Sequence, residues 1–478
     1  MSSAKTLPLA LSAIILASMP CSAAPPAPPK LELTPYSFTL RDGTKLDAER
    51  GTFSVPEDRN DPGSRRIALG FVRFKSTSPR PGNPIVYLAG GPGGSGIGAA
   101  REQRQPIFLK LREVADVIAF DQRGVGLSNH FPRCTADKAL DAALPLTEEV
   151  LTQHSRAALL KCVAQWQAGG IAVKGYTTEQ NADDLEDLRR ALGAGKIDLW
   201  GISYGSHLAF AAMRRHPGSI GRVALASAEG MDQTVKLPAH VDAVYGRIEK
   251  AIGLEEGALT GPMRRVLDRH SEPRPFTLGL PDGSSMTYRV GAFPLRMAAG
   301  ILPKNPDGIA QLYGLFSALD AGRTQPIAPL LYGYFYKDPL VVHGMPELMD
   351  IASGISPRRL AIVRGQAPAS LSGTATNFPM PQLRGAIPGL ELKSSYRREI
   401  SSEIPTLLFS GDLDVRTPLE EQAVAVAGLR NLHQVIVRNG GHDLFEAHPD
   451  VPQMLVDFFS GRMPTGKELR LPPPRLAP

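Results

Sequence analysis

Cysteine is scarce in this chain, with three among 478 residues, at Cys21, Cys134 and Cys162. No Cys-x-x-Cys or His-Glu-x-x-His occurs and most of the ten histidines stand isolated, so the usual spacings of a zinc site are missing and no metal is expected. Concentrated positive charge is missing too. The 53 Lys and Arg against 47 Asp and Glu leave a net charge of +6, but the basic residues form no cluster or single helical stripe, which argues against nucleic acid as a partner. No apolar run reaches the roughly 20 residues that span a bilayer. Gly and Pro, 47 and 43 residues, stay below the level of low-complexity chains, and no internal repeat is visible. What remains, at 42% hydrophobic and 21% charged residues, is a folded enzyme or binding protein, built as one large domain with an insertion or as two to three smaller ones.

The first residues read as a targeting segment. Lys5 supplies a charged start, Leu7 to Met19 an apolar stretch, and Cys21-Ser22-Ala23 a small-residue cleavage site, so residues 1–23 are expected to be a secretory signal peptide cut after Ala23. The mature protein is then secreted or periplasmic, without stable membrane insertion. Cleavage removes Cys21 and leaves Cys134 and Cys162, a pair that can bridge in an oxidising compartment; two separate buried thiols are the alternative.

A Pro-rich leader over 24–32 gives way, at 33–75, to alternating apolar and polar residues with turns such as Arg41-Asp42-Gly43 and Asp61-Pro62-Gly63, the pattern of antiparallel strands at a sheet edge. From Pro84 onward the texture changes. Short apolar runs at 85–88, 117–120, 197–200, 223–226, 406–409 and 434–437, several separated by helical patterns, predict a mostly parallel sheet with helices on both faces. The stretch 236–396 breaks that rhythm with helix-like segments, a hairpin expected around Pro281-Asp282-Gly283, and many Pro and Gly. It is expected to be an inserted, mainly helical lid dividing the core into 33–235 and 397–462, with 463–478 a tethered Pro-rich tail.

Gly201-Ile202-Ser203-Tyr204-Gly205 sits between an apolar strand and a helical run, the context of a nucleophile elbow. A serine needs a base, and the base an orienting acid. His442 and Asp414 both follow later strands, and the order Ser, Asp, His is that of an α/β-hydrolase. Asp412 competes for the acid's place at this level. The loop Gly90 to Gly96 after strand 85–88 offers backbone amides for an oxyanion hole, with Gly91 and Tyr204 as its expected donors. Part of that loop also matches Gly-x-Gly-x-x-Gly, with Asp116 about 20 residues on, but a dinucleotide reading leaves Ser203, Asp414 and His442 unexplained.

Several further motifs are present in order: Val55-Pro56-Glu57-Asp58, the Gly90 to Gly96 loop, Asp121-Gln122-Arg123-Gly124-Val125-Gly126-Leu127-Ser128, Tyr176-Thr177-Thr178 leading to Asp184-Leu185-Glu186, the elbow, and Gly411 to Pro418. Over about 50–235 and 400–462 the chain thereby resembles the prolyl and tripeptidyl aminopeptidases, the proline iminopeptidase relatives among α/β-hydrolases. It departs at Ala89, where proline iminopeptidases usually carry His, and in a lid without cysteine. The resemblance implies that the acid is Asp414, at the last aspartate of Gly-x-x-Asp-x-x-Thr-Pro. It also implies acidic residues near the lid that hold a substrate amine, for which Glu229 and Asp232 are the candidates.

The expected protein is an exported serine hydrolase that removes residues from peptide N-termini through an acyl-enzyme, with no cofactor and a peptide or small acyl substrate as its partner. An esterase or lactonase with the same triad is the rival, and a non-catalytic binding protein on the same fold a more distant one. A short cavity lined by carboxylates would favour the peptidase; a long apolar one would favour esters.

Overall fold

The computed structural model describes Met1 and residues 27–102, 104–279 and 283–476, so the expected signal peptide at 1–23 lies outside the described residues. Ten strands form the main sheet: β1 (Leu31–Thr39), β2 (Lys45–Pro56), β3 (Arg66–Phe74), β4 (Ile85–Leu88), β5 (Val117–Phe120), β6 (Ile197–Ile202), β7 (Ile220–Ala226), β8 (Thr406–Gly411), β9 (Leu432–Arg438) and β10 (Glu468–Arg470). Their order across the sheet is β1-β2-β3-β5-β4-β6-β7-β8-β9-β10. The first three are antiparallel to their neighbours, and everything from β5 to β10 runs parallel.

The alternating burial of β2 and the continuous burial of β4, β5 and β8 follow from their positions. A strand in the outer antiparallel part of the sheet shows one face to water, whereas a central parallel strand is covered on both. One apolar cluster packs Leu88, Leu199 and Leu225 with the helices on one face; a second packs Tyr87, Trp200 and Phe409 on the other. The chain leaves β4 for β5 on one side and returns to β6 on the other, so strand direction of travel reverses at β4. Crevices at the carboxyl ends of strands on either side of such a reversal are where ligands bind in open parallel sheets.

Residues 236–396 hold seven α-helices among the described residues, from Pro238–Ala251 to Pro357–Gln366, and a hairpin of Arg274–Gly279 with Ser285–Val290 whose turn at 280–282 lies outside the described residues. This inserted segment, referred to below as the lid, has its own apolar core, in which Val241, Tyr245, Leu312 and Phe316 pack together with Leu413 and Val415, the residues on either side of Asp414. The lid is therefore bonded by packing to the loop that carries the candidate acid.

Two boundaries differ from expectation. The leader expected over 24–32 ends earlier, because Leu31 and Glu32 already pair with Phe53 and Thr52. The segment from 463, expected as a tethered Pro-rich tail outside the core, contributes to the main sheet β10, which pairs in parallel with Ile436 to Arg438 and ties in through Arg438 and Glu468 at 2.8 Å. Three residues flanked by prolines leave no periodic signal in sequence, yet they cover the exposed edge of β9.

Cys134 and Cys162 form a disulfide. It fixes the helix Glu148–Ala168 to the short strand Cys134–Thr135, which pairs with Val341–Val342 of the lid. Closing a loop with a sequence separation of 28 restricts the unfolded chain, an effect worth roughly 3–4 kcal/mol in the chain-entropy account. Reduction is therefore expected to lower the melting temperature of the wild type by several degrees. It should leave a Cys134→Ala/Cys162→Ala double variant unchanged, with melting followed by circular dichroism.

Candidate active site

The site is assembled from the carboxyl ends of β4, β6, β7, β8 and β9. Ser203 follows β6 with φ 55° and ψ −125° and caps the helix Tyr204–Arg215. A non-glycine residue in that region costs on the order of 1–3 kcal/mol, and such strain persists only where the surroundings impose it. The surroundings here are backbone. A Cβ on Gly205 would lie 2.1 Å from the Leu88 carbonyl oxygen, one on Gly201 2.9 Å from that of Gly205, and one on Gly90 3.1 Å from the Ser203 Cβ. Glycine at all three positions lets β4, β6 and the helix close around the turn.

His442 is held at both ends of its own backbone. Its amide donates to the Lys304 carbonyl of the lid at 3.0 Å, and its carbonyl accepts from Ser227 Oγ at 2.6 Å. Its Nδ1 lies 3.0 Å from each carboxylate oxygen of Asp414. Burial works to raise the Asp414 carboxyl, but the charge and hydrogen bond of His442, with bonds from Thr417 Oγ1 and the Thr417 amide, outweigh it and hold the group below its ordinary value. An ionised Asp414 can only accept, so Nδ1 carries a proton, and in the neutral imidazole Nε2 is the nitrogen left with the lone pair. Ser203 and His442 line one cavity of about 560 Å³, together with Gly90, Gly91, Gly94, Arg104 and Arg416.

Asp412, the rival for the acid's place, and three other histidines are held elsewhere. Asp412 accepts from the Asn439 amide at 2.7 Å and braces the turn after β9. His207 is buried between the Gly230 carbonyl at 2.9 Å and the Tyr396 hydroxyl at 2.6 Å. His433 bonds the Gly466 carbonyl and His448 the Asp450 amide.

The glycine loop after β4 is braced from beneath. Gln122 Nε2 donates to the Ala89 carbonyl at 2.9 Å, and Ser95 Oγ donates to Asp121 at 2.6 Å. Burial raises the Asp121 carboxyl, against hydrogen bonds from Ser95 and the Leu127 amide. Arg123, fully buried, grips both oxygens of Asp184 and the carbonyls of Glu57 and Gly175. Gly91 enters the loop at φ 123°, and Tyr204 opens the elbow helix, whose first amides have no partner within the helix. Overhead, the lid's Pro346 sits so close that a Cβ on Gly93 would fall 2.5 Å from its Cγ.

Beyond Gly91 lies a second, smaller cavity of about 230 Å³, lined by Glu229, Lys236, Pro346, Asp350, Phe378 and Arg416 among others. Gly91 and Arg416 line both cavities, so the two lie side by side. Of the two expected amine-binding carboxylates, Glu229 faces this pocket, ion-paired to Lys236. Asp232 does not line it: its carboxylate accepts from the Ser356 amide at 2.8 Å, at the start of the helix Pro357–Gln366. The carboxylate that does line it, and that sequence reasoning missed, is Asp350 on the lid helix Met345–Ser353. No hydrogen bond to the Asp350 carboxyl exists among the described residues. Solvent reaches it in part through the pocket, but enclosure by protein and then the charge of Glu229 push it up to about 8, with Glu347 adding to the rise and Lys236 and Arg416 opposing it.

A family model described as alpha/beta hydrolase fold matches residues 83–249, and one described as TAP-like protein matches residues 388–468. The chain belongs to the α/β-hydrolase fold family. Within that family it is TAP-like, the second match spanning the strands that carry Asp414 and His442. It is 28% identical over 217 residues to serine protease Hip1 of Mycobacterium tuberculosis, covering 43% of this chain and 39% of that one. It is 29% identical over 166 residues to a tripeptidyl aminopeptidase of Streptomyces lividans, covering 33% and 31%. Carboxylesterase B of Mycobacterium tuberculosis is 32% identical over 105 residues, covering 22% and 20%. The chain thus matches about two fifths or less of the length of these relatives.

The raised Asp350 carboxyl has a consequence for stability. Its value in the fold, about 8, exceeds the ordinary 3.8, so the fold favours the protonated form. That contribution is complete below about pH 4 and is lost as pH rises towards and through 8. Asp350→Asn cannot ionise. Its melting temperature should therefore gain on the wild type steadily from pH 4 to pH 9; a constant difference between the two would show that Asp350 ionises normally.

Proposed function

We propose that the protein is an exported serine hydrolase that cleaves residues from the N-termini of peptides. The observation that carries the reading is one cavity lined by both Ser203 and His442, with His442 Nδ1 3.0 Å from Asp414 and a carboxylate-lined pocket opening beside it. In this mechanism His442 Nε2 takes the Ser203 proton as Oγ attacks the acyl carbon. Asp414 fixes the tautomer and stabilises the imidazolium. The negative oxygen of the tetrahedral intermediate is held by the amides of Gly91 and Tyr204, which act where charge develops and so lower the barrier rather than tighten substrate binding. The imidazolium returns its proton to the leaving amine, and water then attacks the acyl-enzyme with His442 again as base.

The small pocket supplies the preference for a free N-terminus. An α-ammonium entering it meets Asp350 and Glu229, and its charge draws the proton from Asp350, exchanging a neutral buried acid for an ion pair. The lining is short and carboxylate-bearing rather than long and apolar, which supports peptides over plain esters. Export is supported by the disulfide, since such bonds persist in oxidising compartments, and by the targeting pattern at 1–23. Among the described residues no helix is long and apolar enough to cross a membrane.

Ser203→Ala is expected to cost at least about ten-thousandfold in kcat and to abolish labelling by a fluorophosphonate, with melting temperature retained. Substantial residual turnover would overturn the nucleophile. Asp350→Asn should raise KM for N-terminally free peptide anilides by about tenfold and leave N-blocked anilides and nitrophenyl esters little affected. Activity on esters alone would instead favour the esterase reading.

A further inference from the structure

The charges around the small pocket do not balance. Lys236 is matched by Glu229, to which it is ion-paired. Arg104, the other cation lining the larger cavity, is matched twice over, by Asp443 at 2.7 Å and Glu446 at 3.1 Å. Arg416 lines both cavities, and its guanidinium has no carboxylate oxygen within 4.0 Å among the described residues. Its backbone amide bonds Asp414, and a single guanidinium nitrogen, Nη1, donates to the Thr376 carbonyl of the lid at 2.7 Å. A guanidinium carries five N–H donors in a planar fork that matches a carboxylate. That one bond leaves most of the fork unspent, in a half-buried position between the candidate nucleophile and the carboxylates that would take an amine.

We propose that Arg416 is a specificity-determining residue that binds a carboxylate on the substrate, close to the scissile bond. This rests on the hydrolase reading above and goes beyond it by naming the substrate's charge. The neighbouring acid does not supply the missing negative charge, because Asp350, raised to about 8, is largely protonated at neutral pH. Should an α-ammonium draw that proton away, the new pair is balanced within itself and Arg416 is still left with an unmatched charge. A substrate bearing an amine and a carboxylate satisfies every group at once. A neutral substrate leaves a partly desolvated guanidinium unmatched, and a hydrogen bond between charged partners discriminates far more strongly than one between neutral groups. The carboxylate can belong to an acidic side chain on the residue released, or to the fragment that leaves, as in a dipeptide.

Two matched pairs separate these sources: glutamyl against glutaminyl p-nitroanilide, and alanyl-alanine against alanyl-alaninamide. The wild type is expected to prefer the carboxylate member of at least one pair by tenfold or more in kcat/KM, with the difference residing in KM. The pair that shows it identifies the source. Arg416→Gln, which keeps a donor for the Thr376 carbonyl, should bring that ratio to within about twofold, and Arg416→Lys should restore part of it. Turnover of the substrates by the wild type without preference overturns the proposal while leaving the hydrolase reading standing, and does not depend on any variant folding. A ratio that survives Arg416→Gln also overturns it. Turnover of none of the four overturns it as well and, if a fluorophosphonate fails to label Ser203, removes the hydrolase reading beneath it.

Discussion

A serine at φ 55° cannot relax while β4 lies on one side of it and a helix begins on the other. That one constraint fixes the rest of the site. Backbone of Leu88 and Ala89 touches the place where a Gly205 side chain would be, so the turn and the glycine loop are in direct contact. A Cβ at Gly90 would press on Ile202 and Ser203 in the same way. The loop's amides and the serine hydroxyl are therefore set against each other by main chain, with no intervening side chain to relax. Strain recurs nearby at Ser227, φ 53°, whose hydroxyl holds the His442 carbonyl, and at Asn439, φ 61°, in the turn that leads to His442. Of the four described non-glycine residues with positive φ, these three sit just past the carboxyl ends of β6, β7 and β9. Clustering of costly backbone at one end of a sheet is the mark of a site that is over-determined by its fold.

The lid takes part in that determination. It supplies the Lys304 carbonyl to the His442 amide, Pro346 against Gly93, and the Thr376 carbonyl to Arg416. Its apolar core includes Leu413 and Val415. A second link runs through the interior: the Tyr204 hydroxyl meets Thr178 Oγ1 at 3.0 Å, which lies 3.5 Å from Ser353 Oγ, itself 3.2 Å from His207 Nε2. Ser353 closes the same lid helix that carries Asp350. The elbow and the carboxylate pocket are thus joined by a buried polar chain, and a displacement of one strains the other.

Much of this was legible in sequence because the physics behind it is local. Continuous apolar runs such as Val117 to Phe120 can only be strands covered on both faces, and Gly201 to Gly205 between strand and helix can hardly be anything but a sharp turn. The loops that carry Asp414 and His442 follow strands for the same reason. The marks at Asp121, Gln122 and Arg123 were recognisable as a motif, but their task, bracing the glycine loop and clamping Asp184, is a matter of contacts across the sheet. Asp232 lies only three residues beyond Glu229 in the segment that follows β7, yet the backbone turns it to the start of a lid helix. The strand β10 was lost among prolines, since three residues hold no period.

Asp350 was illegible for a deeper reason. In Met345 to Ser353 it stands among Leu348, Met349, Ile351 and Ala352, all buried, with only Glu347 as a second acid, and helical spacing alone would place such an acid on the wet face. Only the pocket, built from segments far apart along the chain, makes that face an interior one. The lid can afford an acid there because Glu229 and Lys236 already neutralise each other and Asp350 can keep its proton. Among the described residues around the pocket, no buried charge is then left unpaired except that of the half-buried Arg416. A pocket so arranged stores its capacity for charge as a proton to be released and a cation to be matched. Ligand binding, rather than folding, calls on both.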